Sequence, residues 1–362
     1  QGFRASGLQG FRASGLQGDG RDFVLDALRG VAIVLVVVGH VIRGFNNSRL
    51  TFAGSSLIDG TIYSFHMPLM FMISGYVVGM KGKLSDIPNR FKRCVIDIYL
   101  PCLYLSLMLW LPKFLWSFLS ISNAENFHLA SMSDLLVIPI HGFDLYWFLC
   151  TLFFVKALHI FTEHFIADKY LHVLFWTTLF AVYTCAGEKL PSFFYYGLYF
   201  HIGFLLIQQK FITREKHPRI LWGIILLFVG MSFFSCSYFY EVSNILTKAS
   251  AAFFTSLSIF VIFYAWNIDN LFLSVCGANS MVIYVLHGFV ISSLRIVFRS
   301  MGLSVSVNPA VLFVLCCMVA VVIPLAVVWL YKNVKCLRWI EYIFYPGRLL
   351  RIKRSQPGTH PD

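Results

Sequence analysis

One apolar stretch near the N-terminus carries an acid, a base and a histidine on a single predicted helical face. At about 100° per residue, the eleven steps from Arg29 to His40 return to within roughly 20° of the starting direction. Asp26 and Arg43 fall near the same stripe, and the residues between are mainly Val, Leu and Ile. Ionisable groups inside a membrane helix are costly and normally face the protein interior, so the stripe predicts a functional site.

The histidines of the first two apolar segments suit proton transfer. His40 is the candidate general base, because imidazole accepts a proton near neutral pH and could deprotonate an attacking hydroxyl group. His66 opens the second segment from the side at which the first one ends, so both histidines are expected at a similar depth. Asp26, on the stripe of His40, completes the predicted catalytic set. The alternative is that these histidines are buried and hydrogen-bonded for structural reasons.

The composition predicts an all-α integral membrane protein. The 362 residues are 58% hydrophobic and 13% charged, which is incompatible with a soluble core and leaves no polar stretch long enough for a separate soluble domain. The formal charge of +12 fits cytoplasmic loops, and nucleic acid is not expected as a partner. We predict about ten spans, at residues 24–44, 61–80, 94–119, 145–163, 170–186, 193–209, 219–238, 248–266, 274–297 and 309–331.

Lysine and arginine in the loops predict the orientation of these spans. Basic residues concentrate in one alternating set of loops, at residues 81–93, 210–219 and 332–354, and are sparse in the other set. By the positive-inside rule both termini are cytoplasmic, and the loops at 45–60 and 120–144 face outward.

The two ends of the chain are expected to lie outside the membrane domain. The eight residues at 1–8 recur at 9–16, so residues 1–20 are interpreted as a remnant of cloning or processing. Residues 21–335 form the predicted membrane domain, and 336–362 form a basic cytoplasmic tail. The tail is interpreted as an amphipathic segment on the anionic inner leaflet, with a grip on an anionic substrate as the alternative.

Other polar residues leave alternatives open. The sequence has no metal-binding or glycine-rich phosphate motif, so no metal is expected, and the nine cysteines are interpreted mainly as small apolar residues.

Lys156 lies deep in the fourth segment, where either a pair with Glu163 or a role in a site would explain it. Trp147 suits an aromatic belt or a stacked sugar ring. His201 is interpreted as structural.

Several short motifs, taken in order, resemble the acyltransferase-3 family of membrane-bound bacterial acyltransferases. No single block is specific, but the blocks follow the family order across nearly the whole membrane part. The first block begins with Leu25–Ile33 and extends to His40, and the second is Phe65–Tyr76. The third is the RxxR motif from Arg90 to Arg93, which Tyr99-Leu-Pro101 follows. The last two are Tyr146–Leu149 and the segment from Asn279 to His287, which includes Tyr284.

The resemblance implies an enzyme that moves an acyl group, expected to be acetyl, from acyl-CoA to a hydroxyl of a glycan or glycolipid at a bacterial plasma membrane. It makes His40 the leading catalytic candidate, and Arg90 and Arg93 candidates for the phosphates of acetyl-CoA, with a plain positive-inside cluster as the alternative. Arg29 would contact the donor or orient the stripe. The candidate acceptor residues are Trp147, Tyr284 and His287.

Two other functions remain compatible with the sequence. A carrier or flippase for a lipid-linked glycan would share the many helices and the buried charge, although it gives no reason for an RxxR motif together with His40. A non-catalytic membrane sensor would need no base at all.

Overall fold

The chain is described by a computed structural model over residues 22–48, 50–80, 86–118, 130–186, 189–208, 218–239, 244–302 and 306–348. These residues are mainly helical and contain no β-strand. The repeat at 1–20, the basic segments at 81–85 and 209–217, Arg49, residues 119–129 of the predicted outer loop, and the tail beyond 348 lie outside the described residues.

Each predicted apolar segment is helical, which confirms the all-α membrane bundle. The helices are α1 (Phe23–Asn47), α2 (Ser55–Met80), α3 (Ile87–Cys94), α4 (Leu100–Phe118), α5 (Asp134–His141), α6 (Trp147–Phe165), α7 (Lys169–Ala186), α8 (Phe193–Gln208), α9 (Pro218–Phe239), α10 (Ile245–Ala265), α11 (Leu271–Ala278), α12 (Ser280–Ser300), α13 (Pro309–Asn333) and α14 (Glu341–Phe344).

Eight helical stretches of the described chain are long and apolar enough to cross a membrane. The two remaining predicted segments are present as α7 and as the shorter apolar helix α8. The end of the bundle where α1 begins is called the Arg29 end below, and the opposite end the Arg43 end.

A π-helical turn, Val95–Tyr99, joins α3 to α4. Pro101 explains it in part, because proline has no N–H to donate to the carbonyl four residues earlier, that of Asp97. The Leu100 N–H bonds instead to the carbonyl of Val95, five residues back. Such turns widen a helix locally and recur at functional sites.

Helix α1 lies at the centre of the bundle and is held there by close backbone contact with α11. A Cβ atom at Gly30 would lie 1.9 Å from the carbonyl oxygen of Leu273, and one at Gly277 would lie 1.8 Å from that of Asp26. Glycine at both positions therefore allows the two backbones to touch, as small residues do in membrane helix pairs. The contact fixes Asp26 and Arg29 against the start of α12.

Helices α2 and α8 make a second close contact of the same kind. A Cβ at Gly75 would lie 1.8 Å from the Phe200 carbonyl oxygen, and a Cβ at Gly203 would lie 1.8 Å from the Met72 carbonyl oxygen. These obstacles are backbone atoms, which cannot rotate away. The contact holds α2, which carries His66, against α8.

We therefore expect Gly203→Ala to separate α2 from α8 and to lower stability by about 1–3 kcal/mol, the usual cost of overpacking. The measurement is the melting temperature of the purified protein in detergent. Gly44→Ala is the matched control, because its Cβ would meet only the end of the Arg295 side chain, at 3.2 Å. Equal melting temperatures for Gly203→Ala and the wild type would contradict the contact.

Candidate active site

A cavity of about 470 Å³ opens among α1, α2, the π turn, α6, α12 and the segment after α14. Along α2 it extends from Val77 to Met70, which is about 10 Å of helix axis. Phe148 and Tyr284 line its deep part, near the middle of the bundle. The cavity thus connects the Arg29 end of the bundle with its interior.

Three local features of the sequence hold the cavity walls in place: the π turn, a hydrogen bond from Tyr104 and a close approach at Gly347. The π turn contributes Asp97 and Ile98. The segment after α14 folds back onto the bundle, where the Tyr104 hydroxyl donates a hydrogen bond to the Ile343 carbonyl. A Cβ at Gly347 would collide with the Asp97 carboxylate, so glycine is needed for this close approach. Part of the predicted tail therefore belongs to the cavity wall.

Three basic side chains from different elements line the cavity: Arg29, Lys156 and Arg348. Arg29 is 3.3 Å from Asp26, which is buried, and keeps about a third of its own side chain exposed. Arg348 is half-exposed and pairs with Glu341. Arg29 and Arg348 each have a carboxylate partner, and Asp97 is the acidic residue of the lining. Basic side chains thus outnumber acidic ones on the cavity wall, which suits an anionic group.

His40 and His66, predicted to be catalytic, lie with His287, predicted to bind the acceptor, beyond the deep end of the cavity. The rings of His40 and His287 are 5.1 Å apart between centroids. The Tyr63 ring lies between His40 and His66, at 6.4 Å and 4.7 Å. His66, His287 and their backbone are buried, whereas His40 is half-buried. His40, His66 and His287 are called the central histidines below.

Tyr284 connects the cavity to the central histidines. Its ring lines the cavity and is 6.0 Å from the ring of His287, one helical turn further along α12. Its hydroxyl donates a hydrogen bond to the Leu145 carbonyl, which ties α12 to the start of α6. A series of ring contacts therefore runs from the cavity wall through Tyr284 to His287 and then to His40.

Hydrogen bonds to backbone carbonyls determine the neutral tautomer of two central histidines. The Nδ1 of His66 is 2.7 Å from the Ile62 oxygen, and the Nδ1 of His287 is 3.1 Å from the Ile283 oxygen. A carbonyl only accepts, so Nδ1 carries the proton in each ring, and Nε2 of the neutral ring keeps its lone pair. The Nε2 of His287 is buried and has no partner among the described residues.

Polar residues border the central histidines on the side of the Arg43 end. The Arg43 guanidinium lies over the Tyr63 ring, 3.2 Å from its centroid, and pairs with Asp59 at 3.5 Å. Asp59 is thus an ion-pair partner rather than an isolated loop acid. At the end of α12, Arg295 donates to the Gly44 carbonyl at 3.3 Å and joins α12 to α1.

The structure places the remaining predicted donor residues apart from this cavity. Arg90 pairs with Glu163 at 2.6 Å, and the two partly buried side chains join α3 to α6. The pair leaves Glu163 engaged with α3, while Lys156, earlier on α6, lines the cavity. Arg93 is exposed. The phosphate-binding role of Arg90 and Arg93 stays a prediction.

Trp147 lies at the start of α6, half-buried, with its ring 5.6 Å from that of Tyr196. Tyr196 in turn stacks on Phe71 at 4.5 Å. Trp147 is therefore part of an aromatic row rather than a lining residue of the cavity. Its role in binding an acceptor stays a prediction.

Sequence reasoning missed Arg348 and Tyr63. Arg348 enters the cavity only because the chain after α14 turns back, which no helical periodicity reveals. Tyr63 could have been found, because it lies three residues before His66 and so shares its helical face.

Comparison with known proteins gives one family for most of the chain. Residues 23–329 match the family described as an acyltransferase domain. The match begins at the first residue of α1 and ends within α13, so it includes the central histidines and most of the cavity wall. No solved structure matches the chain significantly.

Two curated relatives are nodulation proteins called NolL. The one from Sinorhizobium fredii is 27% identical over 214 residues, which cover 56% of this chain and 54% of the relative. The one from Mesorhizobium japonicum is 26% identical over 136 residues, which cover 37% and 34%. The chain thus spans about half, or less, of the length of these relatives. Since the family match extends over 307 of the 362 residues, the chain belongs to the acyltransferase domain family of multi-pass membrane proteins.

Proposed function

We propose that the protein transfers an acyl group, most simply acetyl, from acyl-CoA to a hydroxyl of a glycan or glycolipid. Its site of action is the inner membrane of a bacterium. The observation that carries the proposal is the cavity with basic lining at the Arg29 end, whose lining residue Tyr284 contacts His287, one of the central histidines. Family membership supports the reaction class.

The lining of the cavity suits the parts of acyl-CoA in order. The phosphates of the donor are anionic and pair with arginine and lysine, here Arg29, Lys156 and Arg348. The pantetheine arm is thin and extended and fits between the apolar side chains of Ile73 and Leu152. The thioester then lies near Tyr284, next to His287 and His40.

The chemistry needs one base at the thioester. His40 takes the proton of the acceptor hydroxyl, whose oxygen attacks the carbonyl carbon of the thioester. The carbon–sulfur bond breaks, and the CoA thiolate leaves and takes up the proton from the imidazolium. His287 and His66 flank His40 and orient the acceptor, and buried Asp26 holds Arg29 for the donor.

The acceptor approaches from the Arg43 end, opposite to the donor. His40 is the central histidine with accessible surface, whereas His66 and His287 are enclosed. The aromatic row of Trp147 and Tyr196 offers faces on which a sugar ring stacks. The relatives' role in nodulation does not identify the acceptor.

A carrier for a lipid-linked glycan remains the alternative function. It would need the central histidines only as structural or gating residues and would have no use for acyl-CoA. Consumption of the thioester by the purified protein in the presence of an acceptor distinguishes the two functions.

The first prediction concerns the donor. Lys156→Met keeps most of the length of the side chain but removes its charge, so the KM for acetyl-CoA should rise about tenfold, the value of one charge-assisted bond, with little change in kcat. The salt dependence of the KM should weaken at the same time. Initial rates at several acetyl-CoA concentrations and two ionic strengths provide the measurement.

Lys335→Met is the matched control, because Lys335 is exposed and is not part of the cavity lining. Its KM should equal that of the wild type. If Lys156→Met and Arg348→Met both keep the wild-type KM while remaining folded, the donor does not bind in this cavity.

The second prediction concerns the base. His40→Gln retains a hydrogen-bonding side chain of similar size but cannot take up the proton, so turnover should fall by about 10²–10⁴ while CoA binding is retained. His141→Gln is the control, because His141 is exposed on α5. A folded His40→Gln enzyme with a rate close to that of the wild type would exclude His40 as the base.

The third prediction concerns orientation. With the donor cavity open to the cytoplasm, Leu57→Cys at the Arg43 end should react in intact cells with a membrane-impermeant thiol reagent, because Leu57 is exposed. The native Cys336, exposed near the Arg29 end, should react only after the cells are permeabilised. Cys185 and Cys236 are also exposed and are replaced by serine beforehand. The reverse labelling pattern would place the cavity outside.

A further inference from the structure

A second group of histidines lies away from the central histidines, between α6, α7 and α8. His159, His172 and His201 each offer a ring nitrogen, and the three nitrogens lie within 4.8 Å of one another. All three side chains are buried, with 0%, 6% and 1% of their surface exposed. These residues are called the histidine trio below.

The histidine trio is poorly explained as ordinary core packing. Both ring nitrogens of His159 and both of His201 are buried without a hydrogen-bond partner among the described residues. Buried imidazoles normally find partners, because an unpaired donor or acceptor loses the hydrogen bonds that water would supply. One of these unpaired nitrogens from His159 and one from His201 lie close to a ring nitrogen of His172, which indicates a ligand shared by the three rings.

We propose that the histidine trio binds one divalent transition-metal ion, with Zn²⁺ as the natural occupant. Neutral imidazole is a preferred ligand of Zn²⁺, and three histidines leave one position for water or hydroxide. Tetrahedral zinc needs nitrogens about 3.3 Å apart. The rings therefore move inward by a small rotation of their side chains when the ion binds.

The neighbours of the trio fit a metal site. The Thr162 hydroxyl donates to the His159 carbonyl at 3.2 Å, so its oxygen accepts from the Nε2 of His172 at 2.9 Å. The proton of His172 is thereby held on Nε2, and Nδ1 keeps the lone pair that a metal requires. A ligating histidine is usually supported in this way, because the ring nitrogen that does not bind the metal donates its N–H to a neighbouring acceptor.

An indole ring forms one wall of the site. Trp176 stacks on His201 with ring centroids 6.1 Å apart, and its Nε1 is buried without a partner among the described residues. A metal-bound water or hydroxide offers an acceptor for this N–H. Gly197 makes the arrangement possible, because a Cβ there would lie 2.2 Å from the Trp176 ring.

The expected consequence of metal binding is to lock three helices together beside the donor cavity. His159 lies on α6 one turn beyond Lys156, which lines that cavity. His172 and His201 come from α7 and α8, so the ion joins three helices at one point. The site is separate from the central histidines, and the inference does not depend on the proposed function.

The test uses the full chain purified in detergent with an affinity tag that contains no histidine. After incubation with Zn²⁺ and removal of excess metal, inductively coupled plasma mass spectrometry should find about one zinc ion per chain. Co²⁺ in place of Zn²⁺ should give the intense visible absorption of a low-symmetry nitrogen site. Zn²⁺ should also raise the melting temperature, as any ligand of the folded state does.

His201→Gln and His159→Gln should each lower the Zn²⁺ affinity at least tenfold and abolish the cobalt spectrum. Thr162→Val, which removes only the support of His172, should lower the affinity by about 10–100-fold. His164→Gln is the matched control, because His164 lies on the same helix but is exposed. It should bind like the wild type.

Two results would overturn the proposal. One is a wild-type protein that takes up neither Zn²⁺ nor Co²⁺, a measurement that does not depend on whether any variant folds. The other is zinc binding that survives unchanged in folded His201→Gln and His159→Gln. In either case the histidine trio is a hydrated structural pocket.

Discussion

The membrane interior supplies no water, and this constraint determines where the polar residues of the bundle lie. A charged or polar side chain in a span must face a partner or a cavity. Buried Asp26 accordingly pairs with Arg29, and Arg90 pairs with Glu163 between two helices. The apolar surface faces outward, so the polar residues gather on inner faces of α1, α2, α6 and α12. A reaction centre can form there without a soluble domain.

The same constraint places the central histidines next to the cavity, in contact with it through Tyr284. Basic residues line the cavity at the Arg29 end, and the central histidines lie deeper. The glycine contacts hold α1 against α11 and α2 against α8, and the rings of His40 and His287 lie 5.1 Å apart. In the proposed reaction, a donor from one end and an acceptor from the other meet at His40.

Much of this arrangement could be predicted from the sequence, because helical periodicity and hydropathy are local properties. The ten apolar segments, the stripe of Arg29 and His40, and the common depth of His40 and His66 follow from spacing along one or two helices. The partner of Arg90, the return of Arg348 into the cavity and the meeting of His159 with His172 and His201 depend on which helices pack together. Single-helix patterns do not contain that information, so His201 was interpreted as an isolated structural residue.

Affinity labelling of the cavity tests the central claim most directly. Bromoacetyl-CoA carries a thiol-reactive carbon where acetyl-CoA carries its acetyl group, and Met281→Cys places a thiol in the cavity wall three residues before Tyr284. Labelling of this cysteine should saturate with reagent concentration and be prevented by acetyl-CoA. Phe289→Cys, at an exposed position on the same helix, should show neither effect. Labelling of Met281→Cys that is slow, non-saturating and insensitive to acetyl-CoA would contradict a donor site in this cavity.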